Sequence, residues 1–334
     1  MAETTGSIMV DRLVDHFHDL PMRGVRIVQL GAGEQAAPSL HALDRDLILI
    51  HTHSKPLTVW EVLPDPDWIA LTVPLRWKGD YMYNGLLAEP GDLFLWSGGD
   101  AYAARGADRV GLGVGLRRSR LNDTIGALLG GGRMGSTLEE GRIRPGAQAG
   151  NAMHRQLAAG IRRSLDAPLG NGCFRMPPSV ANGLMSDLAF CLVAHAVSAR
   201  EREPGRINAR PVVRAAQDAM AASGCVQPSL SDLCAAAGVG QTWLHKCFVE
   251  ICGVPPMAYL RARRLSTARD RLLDPETPPA SVKDVSLSLG FINSGRFAAD
   301  YRGLFGETPS MTLAKRMQAK RHGFGSSTSR SEPH

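Results

Sequence analysis

Apolar residues fall along this chain in successive rhythms. Between Val25 and Leu116 they alternate or gather in short runs bounded by Gly, Pro and Asp. Val25-Arg-Ile-Val-Gln-Leu30 alternates, while Asp46-Leu-Ile-Leu-Ile50 and Trp68-Ile-Ala-Leu-Thr-Val-Pro-Leu75 suit buried strands. Glu89-Pro-Gly-Asp92 predicts a turn into Leu93-Phe-Leu-Trp96, followed by a second turn at Gly98-Gly99. Val110-Gly-Leu-Gly-Val-Gly-Leu116 alternates strictly, and its glycines suit a strand closely approached on one face. Short strands at near-even spacing predict a small β-barrel or jelly roll. A short helical pattern (Ile8, Leu13, Phe17, Leu20) precedes them.

From residue 119 the rhythm turns helical. A short helix from Asp123 to Leu129 ends in Gly130-Gly-Gly132, and Ala152, Leu157, Ile161 and Leu165 share one face of the next. Val180–Ser198, with Leu184, Leu188, Leu192 and Ala196, is too apolar to stand alone and must pack on the barrel or on a second subunit. Arg200-Glu-Arg-Glu-Pro-Gly-Arg206 reads as a hinge.

Beyond the hinge one pattern occurs twice. The first copy reads Ser229-Leu-Ser-Asp232-Leu233-Cys-Ala-Ala-Ala-Gly238-Val239, then Leu244, Phe248, Gly253 and Pro256. The second reads Ser281-Val-Lys-Asp284-Val285-Ser-Leu-Ser-Leu-Gly290-Phe291, then Phe297, Tyr301, Gly306 and Pro309. The offset grows by one residue after the glycine, so the second turn is longer. A small apolar helix, a glycine able to take a left-handed backbone, and a longer helix make up a helix-turn-helix. Between the copies, Pro256 to Leu273 predicts one helix of about 27 Å. Successive major-groove faces on one side of B-DNA lie about 34 Å apart, so such a helix can hold two recognition helices one turn apart. Prolines in Asp274-Pro-Glu-Thr-Pro-Pro279 stop it, and Ser281 is a fitting N-cap.

These residues resemble the AraC/XylS family of bacterial transcription regulators. The resemblance rests on Asp232 and Gly238, on Pro256, Tyr259-Leu260-Arg261, Arg264-Leu265, Ala268 and Leu272-Leu273, and on Asp284, Gly290-Phe291, Phe297, Tyr301, Phe305-Gly306 and Thr308-Pro309-Ser310. It covers roughly the last third of the chain. The Pro-Gly-Asp turn resembles a cupin-type barrel, the usual sensing domain of that family. The implied fold is α+β, with an N-terminal cupin-like β-barrel and following helices, and a C-terminal all-α double helix-turn-helix domain. The expected boundaries are 1–118 for the barrel and 119–203 for a helical dimerisation or linker region. The DNA-binding domain is expected at 207–320, with helix-turn-helices at 229–252 and 281–305, and a disordered tail at 321–334.

On the first recognition helix, Trp243, Leu244 and Phe248 can face the core, which turns Gln241, Thr242, His245 and Lys246 outwards. The resemblance places positions matching Thr242, His245 and Lys246 on base edges or backbone. On the second helix, Asn293, Ser294 and Arg296 are the candidates. Ala298 and Ala299 stand where many members carry Arg or Lys, so the first helix is expected to specify and the second mainly to position. Arg261, Arg263 and Arg264 are candidates for phosphate contacts, although Arg264 could instead bridge to Asp284 or Asp300.

Charge supports this division. Residues 1–205 carry 21 basic and 22 acidic side chains, whereas residues 206–334 carry 17 and 10, so the whole net excess of +6 lies in the part that would meet phosphates. A hydrophobic content of 44% is that of a soluble globular protein. The most apolar run, Leu188–Val197, is too short to span a bilayer. No N-terminal signal pattern is present, and a cytoplasmic location without membrane contact is expected. All six cysteines lie in the C-terminal half without Cys-x-x-Cys spacing, which favours buried thiols over disulfides or zinc.

The N-terminal part offers little catalytic chemistry. His51-x-His53 with Glu61 resembles a metal-cupin ligand set, but the spacing is wrong and the later histidine is missing. No metal, cofactor or catalytic residue is expected. Four of the five tryptophans fall between Trp60 and Trp96. Aromatics lining a barrel can bind a small organic effector, with Trp60, Trp77 and Trp96 as candidates, or can simply pack a core. The expected protein is a non-enzymatic, sequence-specific regulator, an activator by resemblance. Its expected partners are promoter DNA, RNA polymerase, an unidentified effector and a second copy of itself. A metal enzyme fused to a DNA-binding unit and an effector-independent DNA-binding protein remain the alternatives.

Overall fold

The computed structural model describes residues 22–34, 39–97, 101–130, 141–144, 147–170, 173–198, 209–223, 226–274 and 281–324. The expected helix around residues 8–20, the Gly98-Gly99 turn, the hinge at 200–206, Cys225, the prolines at 275–279 and the last ten residues of the tail lie outside them. The chain divides into two compact units, Met1–Ile27 with Ala36–Ala209, and Val28–Gln35 with Arg210–His334.

The first unit is organised on one sheet of β1 (Met22–Gln29), β2 (Ser39–Leu43), β3 (Leu47–Ser54), β4 (Thr58–Pro64), β5 (Trp68–Tyr83), β6 (Leu86–Leu87), β7 (Leu93–Trp96), β8 (Tyr102–Arg117), β9 (Gly141–Ile143), β10 (Pro168–Gly170) and β11 (Cys173–Arg175). Its order is β10-β11-β2-β3-β8-β5-β7-β9; β4 pairs with β8 and β1, and β6 with β5. β5 and β8 are twice as long as their apolar runs suggested. Both carry register shifts through polar stretches that break the alternation, between Pro74 and Met82 on β5. The Glu89–Asp92 turn forms as expected: the Asp92 amide donates to Glu89 O at 3.1 Å, and Asp92 Oδ2 accepts from the Glu89 amide at 2.9 Å.

Strand β8 pairs along one edge with β5 throughout, and along the other first with β4 and then with β3. The exchange occurs at a bulge where Ala107 and Asp108 face Lys55–Leu57. There Asp108 has φ +41° and its amide donates to Lys55 O at 2.9 Å. Such a bulge flips side-chain parity. Tyr102 and Ala104 before it, and Arg109, Gly111 and Gly113 after it, therefore line one cavity.

The other face of the sheet carries α1 (Arg118–Leu128), α2 (Ala147–Ser164) and α3 (Pro178–Ser198). Leu121, Leu157, Leu184, Leu188 and Leu192 share a single core with Leu49, Leu71, Val114 and Leu116. Helix α3 thus covers the sheet, which accounts for its apolar sequence, and the buried apolar residues of the described helices in 119–198 share the core of the sheet.

The second unit comprises α4 (Ala209–Ala222), α5 (Leu230–Ala237), α6 (Gln241–Cys252), α7 (Pro256–Leu273), α8 (Val282–Ser288), α9 (Ser294–Phe305) and α10 (Pro309–Phe324). Helix α7 is central. Its Tyr259 packs edge-on against Phe248 at 5.6 Å, while Leu265, Ala268 and Leu272 join Val285, Phe297, Tyr301 and Phe305 in the core of the second repeat. The unit also takes in Val28–Gln35. Gln29 is fully buried, its amide donates to Ser266 Oγ at 3.2 Å, and its Nε2 donates to Leu304 O at 2.8 Å.

Candidate nucleic-acid interface and sensing cavity

Each repeat starts from a capped helix. Ser229 caps α5 through a reciprocal box in which the Asp232 amide donates to Ser229 Oγ at 3.2 Å and the Ser229 amide donates to Asp232 Oδ2 at 2.8 Å. These bonds hold the Asp232 carboxyl below the usual range. Ser281 caps α8 by accepting from the Asp284 amide at 3.1 Å. The turns differ as the offset requires. After Gly238 (φ +64°) only Val239 and Gly240 precede α6, whereas after Gly290 (φ +72°) Phe291, Ile292 and Asn293 precede α9.

On α6, Leu244, Cys247, Phe248 and Ile251 are buried, so Gln241, Thr242, His245 and Lys246 are left on the exposed face. Trp243 is half-buried, and Lys246 Nζ lies 5.4 Å from its ring centroid. On α9, Phe297, Tyr301 and Phe305 are buried, while Asn293, Ser294 and Arg296 are exposed. Asn293 is also structural, because its Oδ1 accepts from the Arg296 amide at 2.9 Å and caps α9. Ile292, which sequence reasoning passed over, is 95% exposed beside that cap. The signal lay in the longer second turn, which places an aliphatic residue with nothing to pack on.

The linker arginines turn inwards or pair. Arg263 is buried and donates to Gln217 O at 2.9 Å. Arg261 forms a two-pronged ion pair with Asp300. Arg264 bridges to neither Asp284 nor Asp300. It donates to Leu289 O and, at 2.8 Å, to Gln227 Oε1, and its guanidinium lies 4.4 Å from the Phe291 ring centroid.

In the first unit the cavity encloses about 640 Å³ of empty space, part of it open to solvent. Of the three tryptophans expected there, Trp60 lines it. Trp96 is instead buried beside Tyr102, and Trp77 packs against the same aromatic cluster. His53 turns to Asp108 (3.3 Å) and Glu61 accepts from Arg26 (3.0 Å); among the described residues no three metal-ligating side chains come together.

Two capped helix-turn-helices in series on one connecting helix define a double helix-turn-helix domain. A family description reading "Helix-turn-helix domain" matches residues 233–315. The XylDLEGF operon transcriptional activator 1 of Pseudomonas putida is 41% identical over 88 residues, 26% of this chain and 27% of that protein. A probable thc operon regulatory protein of Rhodococcus erythropolis is 32% identical over 162 residues, 47% of each. Among solved structures, a probable AraC family transcriptional regulator from Rhodopseudomonas palustris is 36% identical over 31% of this chain and 96% of its own, with a TM-score of 0.29. The C-terminal unit is a helix-turn-helix domain of the AraC/XylS type. The chain spans about a quarter to a half of the length of these curated relatives.

Proposed function

We propose that the protein is a one-component, sequence-specific transcription regulator, an activator that recruits RNA polymerase at promoter DNA. It works in the cytoplasm as a homodimer under the control of a small effector held in the first unit. The observation that carries this reading is the pair of exposed faces on α6 and α9, each freed for solvent by a buried apolar face, at the two ends of the 18-residue α7. Lys246 and His245 present donors suited to guanine acceptors or phosphates, and Gln241 and Thr242 enter first, at the helix N-terminus. Arg296 supplies the long donor of the second helix. Ile292 offers an apolar contact to a thymine methyl, which adds a reading element to a helix whose Ala298 and Ala299 carry none. No helix among the described residues is long and apolar enough to cross a membrane.

The test is capture of genomic fragments by the purified protein, with Lys246→Ala/Arg296→Ala and Ile292→Ala as controls. A few promoter fragments should be enriched. The double variant should lose them, and Ile292→Ala should weaken binding about tenfold or less, a cost of about 1 kcal/mol, without lowering the melting temperature. Uniform capture, or capture unchanged in the double variant, would refute the assignment.

A further inference from the structure

Arg109 is 6% exposed and lines the cavity of the first unit. A buried guanidinium is normally matched by a carboxylate, because an unpaired charge in an apolar site is costly. Among the described residues no acid pairs with Arg109, and its Nε and Nη2 atoms have no hydrogen-bond partner. Its neighbour Asp108 turns instead to His53 and Arg76. Two aromatic rings lie beside the guanidinium, Trp60 at 4.7 Å and Tyr81 at 5.8 Å from Cζ to the ring centroids, and the Tyr81 hydroxyl is hydrogen-bonded to it. These contacts hold the group on one side and leave its Nε and Nη2 atoms without a partner among the described residues.

The free edge is chemically specific. The N–H bonds of Nε and Nη2 point the same way and form the side-on fork that a carboxylate fills with two hydrogen bonds. The protein uses the same two atoms of Arg261 to hold one carboxylate oxygen, Oδ2 of Asp300. Close packing keeps the fork in place: a Cβ added at Gly106 would lie 2.9 Å from the Tyr81 ring and 3.2 Å from Arg109 Cδ. Elsewhere on the lining, Gly111 and Gly113 contribute no side chains, and Ile50, Val62 and Leu112 supply apolar wall. A small inorganic anion would satisfy the charge and leave this wall unused.

We propose that this cavity binds a small apolar monocarboxylate, aromatic or short-chain aliphatic, with its carboxylate on the Nε/Nη2 edge of Arg109 and its apolar body against Trp60, Tyr81 and Tyr102. This rests on the regulator reading only in naming the acid as the effector. The experiment is calorimetry and thermal melting of the full-length protein without DNA. The probes are phenylacetate, cinnamate and octanoate, their neutral amides, and inorganic phosphate. At least one acid should raise the melting temperature by about 5 to 10 °C at a hundredfold excess over its Kd, and its amide and phosphate should not. Arg109→Met should melt no lower than wild type when empty, since it removes an uncompensated buried charge, and should bind the acid about 10- to 100-fold more weakly. No response to any acid, an equal response to the amides, or an Arg109→Met protein that melts lower yet binds the acid unchanged would overturn the assignment. Acid binding with no promoter capture would leave this site standing and remove the regulator reading.

Discussion

Glu307 is 7% exposed, yet it receives two cations. Arg269 Nη1 lies 2.9 Å from Oε1 and Lys315 Nζ lies 2.7 Å from Oε2. Thr312 Oγ1 donates to the same carboxylate at 2.8 Å and accepts from Tyr301 O–H at 3.0 Å, so the group ties α7, α9 and α10 together. Burial works to raise the pKa of the Glu307 carboxyl, but the bonds from Lys315 and Thr312 and the Arg269 charge outweigh it and leave it below the usual glutamate value. A depressed folded pKa means that the stabilisation is complete above the unfolded value, near pH 4.5, and is lost as pH falls through the folded value. Glu307→Gln strands Arg269, itself buried, and should cost about 3 kcal/mol at pH 7. The difference between variant and wild type should shrink as the pH is lowered through the depressed folded value. Urea unfolding at pH 7 and pH 3 checks both statements; an equal deficit at the two pH values would mean that the charge is not what matters.

At the scale of elements, the double helix-turn-helix depends on what fixes the second repeat to α7. Apolar packing fixes most of it, and Arg264 fixes the turn. By donating to Leu289 O it satisfies a carbonyl at the end of α8, and by stacking on Phe291 it braces the longer loop that presents Ile292 and Asn293. Arg264→Met should therefore cost about 2 kcal/mol of stability and speed amide exchange in α8 and α9. A phosphate-contacting arginine would behave in the opposite way, with DNA affinity and its salt slope falling while stability stayed put. The sequence marked Arg264 as ambiguous because an arginine's reach admits several partners. Only the placement of Leu289 O selects among them.

For the molecule as a whole, Val28–Gln35 packs in the C-terminal unit although it precedes most of the sheet in sequence. Gln29 makes this connection with a buried side chain whose Nε2 reaches Gly31 O, Gly33 O and Leu304 O at 2.8 to 2.9 Å. Gln29→Ala should destabilise the C-terminal unit by about 1 to 2 kcal/mol, read as faster exchange in α7 and α9. Unchanged exchange there would show that the segment contributes little to the unit's stability.

The sequence by itself determined the double helix-turn-helix unit. The two repeats, their serine caps, their left-handed glycines and the bounds of α7 are local features, written in residues a few positions apart and enforced by backbone chemistry. The outward placement of Gln241, Thr242, His245 and Lys246 follows from helical period alone. The sheet and its partner helices were legible as a class, because short apolar runs and one very apolar helix leave few alternatives. Tertiary structure alone decided the rest. The bulge at Asp108 reverses the parity of β8, so strict alternation counted from Tyr102 would have turned Arg109 away from the cavity. The same long-range packing sends Trp96 into the core, leaves Trp60 at the cavity wall, and carries Gln29 to the C-terminal unit. Partners far apart in sequence set these outcomes, and periodicity carries no record of them.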